Sequence, residues 1–170
     1  MRLLAHDDVS YEWVDPHDWR VAEVRLLLPV GEVGTPAETG NLLVQGDALH
    51  ALTALTSIPE ISSDYLGKVK LCYIDPPFNT GQTFQHYDDA VEHSVWLTML
   101  RDRLVQIKKL LSPDGSVWVH LDDAEQHRAR SVLDEVFGPE NFVTTVIWQK
   151  ADTLRNDATR FSVSHDYIHV

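Results

Sequence analysis

Four consecutive residues concentrate the chemistry of this chain: Asp75, Pro76, Pro77 and Phe78, within the run "LCYIDPPFNTG" (71–81). An apolar stretch suited to a buried strand stops there on a carboxylate. Two prolines then stiffen the exit, because each fixes its own φ and restricts the residue before it. A carboxylate accepts hydrogen bonds and donates none, and the Pro76 carbonyl is a second acceptor beside it. Two adjacent acceptors suit a group with two protons to donate, such as an amino group. Phe78 adds a flat face on which a planar ring can stack. Together they describe a pocket for a planar heterocycle with an exocyclic amino group, which means adenine or cytosine. Such a base is stacked inside a duplex, so it must be flipped out to reach this tip.

Other residues invite chemistry less specifically. Asp47 follows the apolar run "NLLV" (41–44), and Asp122 and Asp123 follow "SVWVHL" (116–121). Acids at strand ends also form turns and cap helices, and for Asp47 and Asp122 both readings stand. Nine histidines form no H-x-H or H-E-x-x-H pattern, and the single cysteine cannot assist them, so no metal site is expected. His93 and His127 read as helix-surface residues and His120 as an alternating strand residue. Cys72 reads as core. Arg101, Arg103, Lys108 and Lys109 read as the solvated face of a helix, and Trp96, Trp118 and Trp148 as core on apolar periodicities. Asn79, Thr80 and Gly81 shape the loop after the tip; closure over a base and loop geometry alone both account for them.

The elements that must position these residues follow from periodicity. "NLLV" reads as a short strand, and 48–58 as a helix with Leu49, Leu52 and Leu55 on one face, ended by Pro59. A loop (60–67) leads to a strand at 68–74, with Asp75 as its exit, and a long polar loop spans 76–90. A helix at 95–111, capped by Ser94, carries Trp96, Leu100, Leu104, Ile107 and Leu111 on one side. "SPDG" (112–115) breaks it, and a strand follows at 116–121. A helix at 124–137 turns Ala129, Val132, Leu133 and Val136 inward. Strands at 143–150 and 166–170 flank a polar loop at 151–160. Alternating strands and helices imply an α/β fold with a mostly parallel sheet, helices on both faces, and an antiparallel hairpin at one edge from the last two strands. Ligands of such sheets bind beyond the carboxyl ends of the strands, which puts Asp47, Asp75 and Asp122 on one rim. Residues 1–40 read as an N-terminal arm and 41–170 as the catalytic domain.

The 170 residues are 44 % hydrophobic and 24 % charged, which fits one domain or a large part of one. No apolar run approaches the roughly 18 residues of a membrane span, so no membrane association is expected. An acidic N-terminus and a lone cysteine favour a cytoplasmic setting. The net charge of −12 argues against generic nucleic-acid binding. Any DNA contact then needs a local basic surface or segments outside these residues.

"DPPF" followed by "NTG" resembles motif IV of the amino-methylating DNA methyltransferases. "GNLLVQGDALHAL", "GKVKLCYIDPPFNTG", "HSVWLTMLRDRL", "LLSPDGSVWVHLDDAE", "LDEVFGPENF" and "VIWQK" extend the resemblance in consistent order over 40–170. Together they resemble the N-terminal portion of β-class adenine methyltransferases, most of all the modification (Mod) subunits of type III restriction-modification systems. The resemblance implies a partial Rossmann-like methyltransferase fold with S-adenosylmethionine (S-adenosyl-L-methionine) as cofactor. It implies methyl transfer to N6 of a flipped adenine in double-stranded DNA, with Asp75, Pro76, Pro77 and Phe78 as the catalytic set. It places Asp47 and the Ala48 N–H near the cofactor's adenine, and suggests a homodimer and a restriction (Res) subunit as partners. Cytosine-N4 methylation is the alternative within the family. Asp at the first motif position argues against protein or RNA amide methylation, where Asn is usual.

The cofactor-binding F-x-G-x-G loop of methyltransferases has no counterpart here. "GEVGTPAETG" (31–40) lacks the acid before it and the helix after it. In the β class this loop and the target-recognition region follow the DPPF motif. The expectation is therefore an N-terminal part of a longer enzyme, inactive alone. A truncated, non-catalytic scaffold is the reading from a different functional class.

Overall fold

A computed structural model describes residues 2–5, 10–15, 18–32, 34, 41–80, 83–84, 87–88, 92–151 and 164–170. The readings of Gly81, of residues 35–40 and of the polar loop from 152 onward lie outside the described residues.

Two short strands, β1 (Arg2–Ala5) and β2 (Tyr11–Val14), pair antiparallel, and a single helical turn, α1 (Trp19–Ala22), follows with Asp18 capping it. Residues 23–32 form no regular element, and Leu26, Leu28 and Val30 are exposed there. The body of the chain then runs α2 (Ala48–Ser57), α3 (Pro59–Tyr65), β3 (Val69–Ile74), β4 (Thr83–Phe84), β5 (Tyr87–Asp88) and α4 (His93–Leu110). It continues with β6 (Leu111–Leu121), α5 (Gln126–Phe137), a 3-10 turn (Pro139–Asn141), β7 (Thr145–Gln149) and β8 (His165–His169). The N-terminal pair docks on this body through contacts of β1 with α4.

The main sheet has the order β3-β6-β8-β7. β3 and β6 are parallel, while β8 pairs antiparallel with both β6 and β7. The α/β fold and its antiparallel edge hairpin are as the alternation of elements predicts. Alternation along β3 and β6 sends Cys72, Ile74, Val117, Val119 and Leu121 to one face, where they meet Trp96, Leu100, Leu104 and Ile107 of α4 and the inward face of α5. All four residues expected to face inward on α5 are buried. Helical cover was expected on both faces; α2, α4 and α5 supply it on this one. On the opposite face of β3, Leu71 is 58 % and Tyr73 50 % exposed.

The β3–β6 pairing is tight at its start. The register shifts between Val69 and Leu71, where β6 makes room for Pro113 and Asp114. A Cβ on Gly115 would lie 2.5 Å from the Val69 carbonyl oxygen, so only glycine fits this approach. The extended run consequently starts at Leu111 rather than at 116.

Several other boundaries differ from the sequence expectations, each for a physical reason. "NLLV" is not a strand: residues 41–45 form no ladder, and Leu43 is 96 % exposed. An apolar run becomes a strand only where a neighbour completes its hydrogen bonds. Pro59 does not simply end α2; it opens α3 at the first helical position, where its missing N–H has no cost, so the expected loop at 60–67 is largely helix. Glu92, not Ser94, stands at the N-cap of α4, and the Ser94 hydroxyl instead donates to the Glu92 carboxylate. Trp148 is exposed rather than core, because β7 is the outer strand of the sheet.

Candidate active site

Because β3 and β6 are parallel, their carboxyl ends share a rim, and Asp75 and Asp122 both leave the sheet there. Asp75 is held from behind. The buried Trp96 indole donates to the Pro77 carbonyl at 2.7 Å. That bond takes the carbonyl after the one expected to face a base. Phe78 is half-buried and rests against the core cluster. The two prolines therefore hang between a strand on one side and an anchored ring on the other. The Asp75 side chain itself is 63 % exposed, open to an incoming partner.

His120 of β6 completes the wall of this tip. Its ring centroid lies 5.6 Å from that of Phe78, and its Nδ1 is 4.0 Å from an Asp75 carboxylate oxygen. Nδ1 also meets the Tyr73 hydroxyl at 2.8 Å, while Nε2 faces Asp166 of β8 at 3.4 Å. Each ring nitrogen thus has a polar partner, the Tyr73 hydroxyl at Nδ1 and the Asp166 carboxylate at Nε2. Asp166 is buried, and Lys150 pairs with it at 2.6 Å, so its charge is balanced.

Beyond Phe78 the chain turns through Asn79, whose φ is 60°. Left-handed backbone is rare outside glycine, and asparagine tolerates it best. The Asn79 side-chain amide donates to Glu125 at 2.6 Å. Glu125 is fully buried and also meets His93 of α4 and Arg128 of α5.

The remaining predicted site residues are placed as follows. Asp47 caps α2, its Oδ1 accepting from the N–H groups of Leu49 and His50, and its Oδ2 accepts from Arg103 at 2.8 Å. Burial works to raise its pKa, but Arg103 and the two N–H groups outweigh it, and the carboxyl stays below the ordinary range. It stands at a helix start, not at a strand exit, with Ala48 as the first residue of that helix. Asp122 forms a turn, accepting from the Ala124 N–H at 2.9 Å, and burial pushes its carboxyl upward. Asp123 holds the Tyr167 hydroxyl, whose pKa rises through that bond and through burial. The basic residues of α4 are engaged inside the domain: Arg101 with Glu135, Arg103 with Asp47, Lys108 with the Val136 carbonyl and Lys109 with Gln106. Cys72 is half-buried on the core side of β3, and burial raises its thiol pKa.

Sequence reasoning named the tip but missed Glu125 as part of it and took His120 for an ordinary strand residue. Glu125 sits in "LDDAE", where an acid ahead of a helix is routine. Only the topology brings it to Asn79, 46 positions earlier.

The fit to S-adenosylmethionine is partial. An acceptor carboxylate at Asp47 beside a helix-start N–H at Ala48 has the chemistry to read the edge of a purine ring. For the methionine end, the sequence offers no glycine-rich loop.

A family model described as DNA methylase matches residues 69–170. Among curated proteins, the "Probable type III restriction-modification enzyme HindVI Mod subunit" of Haemophilus influenzae is 43 % identical over 69 % of this chain and 15 % of its own length. The type III restriction-modification enzyme StyLTI Mod subunit of Salmonella typhimurium is 30 % identical over 86 % of this chain and 26 % of its own length. The chain thus spans about a quarter or less of these relatives. Among solved structures, a candidate DNA modification methylase from Thermus thermophilus aligns with a TM-score of 0.50 at 18 % identity, over 73 % of this chain and 50 % of that one.

Proposed function

Since the chain belongs to the DNA methylase family whose model matches residues 69–170, we propose that it carries the base-holding site of a methyltransferase acting on N6 of an adenine flipped out of duplex DNA. The observation that carries this reading is the exposed Asp75 carboxylate and the half-buried Phe78 ring, both beside His120, on a tip anchored through Pro77 by Trp96. When bound, S-adenosylmethionine supplies an electrophilic methyl group on a sulfonium sulfur. Everything else falls to the chain's own residues. The lone pair of an adenine amino nitrogen is delocalised into the ring. Hydrogen bonds from its two protons to Asp75 and to the Pro76 carbonyl favour a pyramidal nitrogen. They strengthen as positive charge develops there, so they act on the transition state more than on the bound base. Phe78 holds the ring plane. Methyl transfer would break the methyl–sulfur bond and leave a neutral thioether on the cofactor side, and the Asp75 carboxylate would accept the proton that the methylated nitrogen sheds. The exposure of Asp75 lets that proton leave to water.

The reading extends to partners and setting. Double-stranded DNA is the substrate, a homodimer the assembly, a restriction (Res) subunit the companion in a restriction-modification system, and the cytoplasm the site of action. Among the described residues no helix is long and apolar enough to cross a membrane. Asp47 and Ala48 read the cofactor's adenine ring.

The test is methyl transfer from tritiated S-adenosylmethionine to unmethylated duplex DNA, by this chain and by a form extended with its natural continuation. The extended form labels N6 of adenine, and Asp75→Ala abolishes the label. Label on cytosine N4 in the nucleoside digest establishes the cytosine reading instead. Label from Asp75→Ala at a rate near that of the unaltered protein overturns the mechanism.

A further inference from the structure

We propose that Glu125 is a positioning residue for the base pocket, a buried latch that sets where Phe78 stands. The proposal rests on the functional reading above and deepens it. Glu125 occupies the N-cap position of α5 yet makes no side-chain cap bond to its own helix. A short polar side chain at that position bonds the first N–H groups of the helix, and the longer Glu125 does not. Here the side chain turns inward, is 0 % exposed, and gathers three partners from three elements. Asn79 comes from the loop that leaves Phe78, His93 from the first residue of α4, and Arg128 from the first turn of α5.

Burying a carboxylate is costly, and a well-packed apolar side chain in its place is often neutral or stabilising for the fold. The charge is therefore poorly explained by stability alone. Its geometry suggests what it does. Asn79 sits in left-handed backbone immediately after Phe78, and the Glu125 bond holds its side chain while φ is 60°. Trp96 fixes the same loop one residue before Phe78, through the Pro77 carbonyl. Phe78 is thus pinned on both sides, from α4 by Trp96 and from the start of α5 by Glu125. A stacking ring must lie within a fraction of an ångström of the base plane to orient an amino group for transfer.

The experiment uses the intact methyltransferase with DNA and S-adenosylmethionine, and a fluorotryptophan label at Trp96 read by NMR. Glu125→Met fills the volume without an acceptor, whereas Glu125→Gln keeps one oxygen for Asn79. Glu125→Met should lower kcat at least about tenfold with KM for DNA little changed, since misplacing a positioning group costs rate rather than binding. Glu125→Gln should restore most of that loss. Asn79→Ala should be non-additive with Glu125→Met, because each variant breaks the same bond. The Trp96 signal should shift and broaden in Glu125→Met and recover in Glu125→Gln. An unchanged kcat or an unshifted Trp96 signal in Glu125→Met overturns the latch, as does full additivity with Asn79→Ala. Absence of methyl transfer by the wild-type protein would sink the functional reading instead, and the Trp96 signal still decides the latch.

Discussion

"VKLCYI" and "NLLV" have nearly the same apolar character, and only the first is a strand. β3 lies beside β6, gives its inner residues Cys72 and Ile74 to the core, and ends in the anchored tip at Asp75. Residues 41–44 find no ladder, and the side chain of Leu43 points almost wholly into solvent. The difference lies in partners rather than composition. A strand is a property of two segments, and its second member is often far away in sequence: Leu71 pairs with Ser116.

The contrast can be attacked from its working end first. Asp75→Ala should lower methyl transfer by at least about 10²–10³-fold, the scale of losing one preorganised transition-state partner. Thermal melting should be unchanged, because the side chain is mostly exposed. Next comes the packing beneath β3. Leu104 is fully buried in the cluster that receives Cys72 and Ile74. Leu104→Ala should cost about 2–5 kcal/mol in denaturant unfolding.

A smaller effect sharpens the comparison from β8, beside β6 in the sheet. His169 of β8 bonds the Gln126 carbonyl through Nε2 and Thr145 through Nδ1. Burial, helped by Arg130, holds its pKa below the ordinary value despite the Gln126 bond. The folded state then binds fewer protons than the unfolded one near pH 6, so stability falls as pH drops below about 6.5. One proton limits the slope to about 1.4 kcal/mol per pH unit. Melting curves between pH 7.5 and 5.5 should show the fall, and His169→Gln should flatten it. The smallest effect belongs to the second segment. Leu43→Ser should change stability by no more than about 0.5 kcal/mol. A loss as large as that of Leu104→Ala would mean that "NLLV" is buried after all.

Legibility follows the same division. Periodicity placed α2 and α5, and on α5 its inward residues, because a helical face is written within one segment; on α2 Leu49, Leu52 and Leu55 are only half-buried, and Ala54 is the buried residue. The tip at Asp75 was legible because its chemistry is local, four residues in a row. What stayed hidden depends on approach between distant segments. His120 reads as one more alternating residue until β3 and β8 bring Tyr73 and Asp166 to its two nitrogens. Pro59 reads as a stop, because the sequence does not show that another helix starts on it. Trp148 reads as core because alternation cannot tell an outer strand from an inner one.

The outer position of β3 bears on how the protein behaves in a tube. Among the described strands β6 flanks it on one side only, and its outward face shows Leu71 and Tyr73. An open margin of this kind templates edge-to-edge pairing, and two copies meeting along it would join their sheets into one. The net charge of −12 holds the copies apart at low ionic strength, and added salt weakens that repulsion. Turbidity that rises with salt and with concentration is the colloidal signature of such a margin, and dilute buffers of low ionic strength are the natural conditions for suppressing that edge-to-edge pairing.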